Sequence, residues 1–120
     1  MGVDKGFYDY LDAAFTYPVY WGRISTTESA KEVINFFRIS TAQDDMNPIR
    51  LITYQVSVRA GDLETVQGMA KTVCDILRGY TGTWDNIAVY VLGVEELGNL
   101  FEEDGQLYHI PIQCIVKVVD

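Results

Sequence analysis

The sequence has little of what catalytic and metal-binding sites usually need. Its 120 residues include one histidine, His109, and two cysteines, Cys74 and Cys114. Any Ser-His-Asp or Cys-His arrangement would have to use that single imidazole, which we expect to point outward from the last strand, away from Cys114. The two distant cysteines and one histidine do not have the spacing of a zinc site. We therefore predict no catalytic residue, no metal and no cofactor, and we favour a protein that is not an enzyme.

Positive charge is also scarce. Nine Lys and Arg residues face 17 Asp and Glu residues, which gives a formal net charge of −8. Ordinary binding to a phosphate backbone needs clustered Lys and Arg, so this balance argues against it. An acidic lining could instead let nucleic acid pass without sticking. Plain solubility explains the same charge balance and is the default explanation.

Long apolar runs are missing. No stretch approaches the roughly 20 residues that span a bilayer, and the first residues lack the charged start and apolar centre of a secretory signal. Gly6 stands where a myristoylation signal needs Ser or Thr. We expect the chain to fold in a cytoplasm as a single domain, residues 1–120, with both cysteines as small buried hydrophobes rather than a disulfide or redox pair.

The clearest pattern runs from Arg50 to Gly79. Residues 50–58 alternate between apolar and polar, which predicts a half-buried strand with Thr53, Gln55 and Ser57 on its polar face. Asp62 can cap the helix that follows, because its carboxylate can accept from the free amides of the first turn. Apolar residues then recur at helical spacing up to Gly79, where a left-handed cap is expected.

The remaining patterns predict one more helix and four more strands. The helix covers Asp4–Phe15, capped by Asp4 and weakened by Gly6. The strands are Val19–Ile24, Val33–Ile39, Asn86–Val94 and Leu107–Val119. We expect the first two to form a hairpin, the second to pair with the 50–58 strand, and Asn86–Val94 to be buried on both faces or central. Residues 25–31, 40–48, 80–85 and 95–106 are predicted loops, the last with a possible broken helical turn.

These elements predict an α+β fold in the order α-β-β-β-α-β-β. We expect a mostly antiparallel or mixed sheet of about five strands with two helices packed on one face. Pro111 cannot donate to a strand ladder, so the last strand should be an edge at that point or carry a bulge. A long exposed edge invites pairing with another chain.

Acidic residues cluster after the Asn86–Val94 strand. Glu95, Glu96, Glu102, Glu103 and Asp104 raise the possibility of a calcium or magnesium site. Their spacing does not match the twelve-residue calcium loop, whose acids stand at alternate positions. We favour a solvated acidic loop.

The order of elements and several segments resemble a known family. A first helix precedes Tyr17-Pro-Val-Tyr20 and a predicted hairpin; the strand Leu51–Val58 runs into the helix Leu63–Leu77; and Asp104-Gly105 opens a closing strand that contains His109-Ile-Pro-Ile-Gln-Cys114. In this arrangement the chain resembles the tail terminator, or tail-to-head joining, proteins of long-tailed bacteriophages. The segment 40–48 is longer than that family's pattern.

The resemblance implies a structural virion protein without catalytic activity. Such proteins assemble in the host cytoplasm as homohexameric rings that cap the finished tail tube and join it to the head connector or stopper protein. DNA passes through the ring without specific binding, and no membrane is involved. The virion tail or neck is then the expected location.

Carried onto this sequence, the resemblance implies two sets of contacts. The ring interface would draw on the polar faces of the Arg50–Gly79 segment and on the last strand: Thr53, Gln55, Ser57, Lys71, Asp75, Pro111, Gln113 and Lys117. Two polar loops would meet the tail tube or connector: Glu28, Lys31, Gln43, Asp44, Asp45 and Met46.

Other functions remain open from the residues alone. Another neck or head-completion protein, or a tail tube subunit, would share the mixed sheet and the ring geometry. A small cytoplasmic module that binds a ligand on the open sheet or in a helix–sheet crevice is the alternative outside the virion.

Overall fold

The computed structural model describes residues 2–22, 32–43, 48–102 and 106–119. These residues form two helices and seven strands. The helices are α1 (Val3–Ala14) and α2 (Leu63–Leu77). The strands are β1 (Val19–Trp21), β2 (Val33–Gln43), β3 (Ile49–Ala60), β4 (Thr81–Trp84), β5 (Ile87–Glu96), β6 (Leu100–Glu102) and β7 (Leu107–Val119).

The strand–turn–helix segment at Arg50–Gly79 is confirmed. Asp62 accepts hydrogen bonds from the backbone N–H groups of Glu64 (3.2 Å) and Thr65 (3.1 Å). A further hydrogen bond from the Thr65 hydroxyl is the main cause that lowers the pKa of Asp62. Gly79 adopts φ = 74°, the left-handed conformation that glycine tolerates best.

The fold class is α+β, as predicted, but the sheet has seven strands instead of about five. Its order is β1-β2-β3-β7-β5-β4, and β6 pairs with β7. The predicted pairing of β2 with β3 is confirmed and is antiparallel. Both helices cover one face, which we call the inner face; the opposite face is the outer face.

The predicted hairpin of the first two strands is wrong. β1 pairs with β2 in parallel, with Val19 opposite Ile34 and Trp21 opposite Phe36. A parallel pair needs a longer connection than a hairpin does, and the number of residues between β1 and β2 is sufficient for one because β1 has only three residues. Adjacency in sequence therefore did not impose an antiparallel pair.

β7 is also not an edge, and the bulge does not fall at Pro111. The strand lies between β3 and β5, and Pro111 pairs with Ser57 in unbroken register. The carbonyl of Pro111 accepts from the N–H of Leu97 (2.9 Å), just past the end of β5. Because N–H and C=O of a strand residue point the same way, the missing N–H faces the gap between β5 and β6, where it costs no ladder bond.

Four other segments differ, in whole or in part, from their predictions. Residues 81–84, expected in a turn-rich connection, form β4, and residues 100–102 of the acidic segment form β6 rather than loop or helix. β5 lies between β7 and β4, in keeping with the predicted central position, but it is not buried on both faces, since Tyr90 and Leu92 are exposed. β2 extends to Gln43 and so takes in half of the predicted 40–48 loop; residues 44–47 lie outside the described part.

The core lies between the inner face and the helices, and aromatic rings form one end of it. Phe7 of α1 is fully buried, with ring centroids 4.3 Å from Tyr54 and 4.9 Å from both Phe36 and Trp84. The prediction that Asp4 caps α1 is wrong, because the helix begins at Val3 and Asp4 lies within its first turn. Its carboxylate instead accepts from the Tyr54 hydroxyl (2.5 Å) and from Arg38 (2.6 Å), which ties α1 to the sheet.

Gly6 has a role that the sequence did not indicate. A Cβ atom at this position would lie 2.3 Å from Cβ of Trp84, closer than side chains can approach. Glycine therefore lets α1 pack directly on the backbone of β4, which outweighs its lower helix propensity.

Candidate interaction surfaces

The outer face of the sheet carries a charged cluster at one end. Arg59 donates from Nε to Glu102 Oε1 (2.7 Å) and from Nη1 to the buried Asn35 Oδ1 (2.7 Å). Asn35 in turn donates to the carbonyl of Gly22 (2.9 Å). His109 Nδ1 lies 3.5 Å from the same Glu102 oxygen. These four side chains join β2, β3, β6 and β7, although Nε2 of His109 is buried without a hydrogen-bond partner among the described residues.

His109 is more enclosed than the surface or interface histidine that we expected. Only 12% of its side-chain surface is exposed. Burial, followed by the nearby Arg59 charge, lowers the pKa of His109 to about 4, although Glu102 acts in the opposite direction. The imidazole is therefore neutral at neutral pH, and protonation would place a second cation beside Arg59.

The other end of the outer face is apolar and exposed. Leu51 on β3 lies opposite Lys117 on β7, which lies opposite Tyr90 on β5. Ile115 stands two residues before Lys117 on the same face. Leu51, Tyr90 and Ile115 are 41%, 42% and 40% exposed. We call Leu51, Tyr90, Ile115 and Lys117 together the apolar patch.

Two local features shape the apolar patch. The ammonium of Lys117 lies 5.6 Å from the centroid of the Tyr90 ring, a cation–π contact. Beside them, the register of β5 against β7 slips between Val91 and Gly93, so Leu92 is an extra, bulged residue with 59% of its surface exposed. Exposed apolar side chains grouped on an uncovered sheet face are typical of interaction sites.

The helix side carries a groove of about 420 Å³ between the end of α1 and the first two thirds of α2. Ala14, Phe15, Thr16, Tyr17, Thr65, Gly68, Met69 and Thr72 line it. The hydroxyl of Thr65 bonds to Asp62, and that of Thr72 donates to the carbonyl of Gly68 (3.0 Å). These two hydroxyls therefore serve α2 itself rather than pointing at a ligand.

The structure spreads the predicted ring-interface residues over three environments. Thr53, Gln55, Gln113 and Lys117 are half-buried on the outer face, where Gln55 donates to Ser57 Oγ (3.2 Å). Ser57 and Pro111 are buried, so they are not on an open surface. Lys71 and Asp75 form an exposed ion pair (2.6 Å) on the far side of α2. Because β7 is central, Pro111, Gln113 and Lys117 lie on a sheet face and not at the predicted edge.

The predicted tube and connector residues fall almost wholly outside the described part of the chain. Glu28, Lys31, Asp44, Asp45 and Met46 belong to residues 23–31 and 44–47. Only the backbone of Gln43, at the end of β2, is described.

The apolar patch was missed by sequence reasoning, although part of its signal was present. The alternation that put Cys114 and Val116 inward also put Ile115 outward, and Leu51 is outward by the same count. Tyr90 gave no such signal, because its strand read as apolar on both faces.

The two cysteines are buried and free, as predicted. Burial raises the pKa of the Cys74 thiol and raises that of Cys114 to about 12. Both thiols are therefore protonated and unreactive at neutral pH.

Neither a metal site nor a membrane span is found in the described residues. Among them, no group of three or more Asp, Glu, His or Cys side chains is placed to hold a metal ion. Glu103 and Asp104 of the acidic segment are not in the described part. Neither helix in that part is long and apolar enough to cross a membrane.

Comparison with known proteins finds matches in structure but not in sequence. No protein-family model matches the chain, and no curated protein matches it in sequence. One solved structure, which carries no descriptive name, matches with a TM-score of 0.68 at 18% identity. The match covers 96% of this chain and 89% of the other chain. A chain from the virion of a native gene transfer agent particle has a TM-score of 0.65 at 17% identity, covering 92% and 84%. At such identities the likeness establishes a shared fold.

Proposed function

We propose that this chain is a structural protein of a phage-like virion and that it acts as a ring-forming tail terminator. The observation that carries the proposal is the fold match to a gene transfer agent virion chain, which spans most of both chains. The resemblance of the sequence to tail terminators supports the finer assignment. In this role the chain has no catalytic activity and needs no cofactor.

The charge and surface of the protein fit that role. A net charge of −8 suits a ring through which DNA passes without specific binding. The apolar patch gives the subunit a surface to bury on assembly. The partners in this proposal are further copies of the chain in a homohexamer, the tail tube protein and the head connector or stopper protein.

Electron microscopy tests the proposal. Purified protein is imaged by negative stain alone and with isolated tail tubes of the parent virion. We expect rings at the tube ends, and deletion of the gene should give over-long tails that lack heads. Tubes without caps at saturating protein would contradict the terminator role. Normal tails without heads after deletion would favour a connector, and periodic incorporation along the tube would favour a tube subunit.

The helix groove supports a second candidate, a ligand-binding module. Its volume lies within the range of small-molecule sites. Its Thr65 and Thr72 hydroxyls are engaged within α2, which makes it better suited to apolar packing than to a polar ligand. A rise in melting temperature with a metabolite library, without any ring, would favour this candidate.

A further inference from the structure

We propose that the apolar patch of one copy packs into the helix groove of the next copy, so that the chain assembles head to tail. This contact rests on the proposed function, because it supplies the subunit interface of the ring. The two surfaces that meet are the apolar patch on the outer face and the groove between α1 and α2.

The first step is the position of the two surfaces. The apolar patch lies on the outer face of the sheet, whereas the groove lies on the helix layer that covers the inner face. They therefore point away from each other on one subunit. A contact between different, opposed surfaces is heterologous, and its repetition closes into a ring when the rotation allows it.

The second step is chemical fit. The groove is lined by small residues, Ala14 and Gly68, and by the rings of Phe15 and Tyr17. An added Cβ at Gly68 would meet nothing within 4 Å, so the groove floor is open at that point. Met69 and three threonines, Thr16, Thr65 and Thr72, complete the lining. Because the Thr65 and Thr72 hydroxyls are bonded within α2, the branched and aromatic side chains of the patch can pack on them without breaking those bonds.

The third step is charge. Lys117 brings a positive charge to the patch of a chain whose net charge is −8. Glu64 is exposed in the first turn of α2, one helical turn before Gly68 and on the same side. Head-to-tail packing brings Lys117 of one copy toward Glu64 of the next, which favours this pairing over patch against patch, where two lysines would meet.

Two single variants test the contact. Association of the purified protein is measured by sedimentation at concentrations up to about 200 µM, which detects contacts with a micromolar to submillimolar Kd. Ile115→Glu disables the patch by placing a charge in it. Gly68→Trp fills the groove at a position where an added Cβ clashes with no other part of the fold. We expect wild type to associate, and each variant to weaken association by about tenfold or more. Leu100→Glu, at a site at the other end of the outer face that is 53% exposed against 40% for Ile115, and Arg78→Trp, at the far end of α2, should leave association unchanged.

Mixing the two variants distinguishes the geometry. The Gly68→Trp copy still has a patch and the Ile115→Glu copy still has a groove, so the mixture should form dimers with wild-type affinity and nothing larger. Association unaffected by Gly68→Trp, or a mixture that stays monomeric, would overturn the head-to-tail contact. A wild type that is monomeric throughout the range would overturn it as well, whereas the tube images test the virion role separately.

A charge exchange provides a second readout. Lys117→Glu alone should weaken association by about tenfold, and adding Glu64→Lys to the same chain should restore most of it, because the pair is then reversed. Circular dichroism confirms that each variant is folded. Failure of the second change to restore association would show that these two charges do not meet.

Discussion

The two faces of the sheet are held by different kinds of contact. On the inner face, Phe7, Phe36, Tyr54 and Trp84 interlock beneath the helices, and the charged Asp4 beside them is bonded to both Tyr54 and Arg38. On the outer face, a paired charged cluster at one end gives way to exposed apolar side chains at the other. The inner face accounts for folding. The exposed end of the outer face contributes little to the folding of one chain, and we attribute it to assembly.

The largest effect should come from truncating the inner aromatic group. Phe7→Ala leaves a cavity among three rings, so the free energy of unfolding should fall by about 3–5 kcal/mol. Urea denaturation measures the loss. Ile115→Ala on the outer face should change the stability of the monomer by less than about 0.5 kcal/mol, and a similar loss in both variants would erase the distinction between the faces.

The two glycines inside the helices should respond in opposite directions. Gly6→Ala forces a methyl group onto Trp84 and should destabilise the protein by about 1–3 kcal/mol. Gly68→Ala places the same methyl group in open space and should stabilise it by about 0.5–1 kcal/mol. Thermal unfolding of both variants is the measurement. Two changes of the same sign would mean that the packing of α1 on β4 is looser than described.

The polar tie between α1 and the sheet should have a smaller effect. Burial, together with the hydrogen bond to Asp4, raises the pKa of Tyr54, so the phenol stays protonated and donates across the physiological range. Tyr54→Phe removes this donor while Arg38 still holds Asp4, and should cost about 1–2 kcal/mol. In an Asp4→Asn background, Tyr54→Phe should lower the stability by less. An equal loss of stability in both backgrounds would show that it does not come from the hydrogen bond between Tyr54 and Asp4.

On the outer face, acid should weaken the charged cluster. The pKa of His109 is lowered to about 4 in the folded protein, below its usual 6.5, so the unfolded chain takes up the proton first. Stability should therefore fall as the pH drops from about 6.5 to about 4, by at most about 1.4 kcal/mol per pH unit. The difference between wild type and His109→Gln isolates this slope from the carboxylates. Parallel pH profiles would show that His109 is not held neutral by the fold.

Much of the inner face could be predicted because its signals are local. The alternation of β3, the apolar spacing of α2, the Asp62 cap and the left-handed Gly79 all follow from neighbouring residues. The same alternation placed Cys114 in the core.

The outer face could not be predicted to the same extent, because its features depend on which strands pair. β6 looks like an acidic loop until β7 pairs with it, and only that pairing brings Glu102 to Arg59 and His109. β7 looked like an edge because of Pro111, whose lost N–H falls in the gap between β5 and β6. Gly6 was misjudged for a similar reason, since its partner Trp84 is remote in sequence.

The most direct test of the central claim is hydroxyl-radical footprinting of the wild-type protein, free and bound to tail tubes, read by mass spectrometry. The account predicts that Tyr90 and Leu92 on the outer face, and Tyr17 in the helix groove, become protected on assembly. Phe101, which is 51% exposed at the other end of the sheet, serves as the control and should keep its reactivity. Unchanged oxidation of Tyr90 and Leu92 in the assembled state would contradict the claim that assembly covers the exposed end of the outer face.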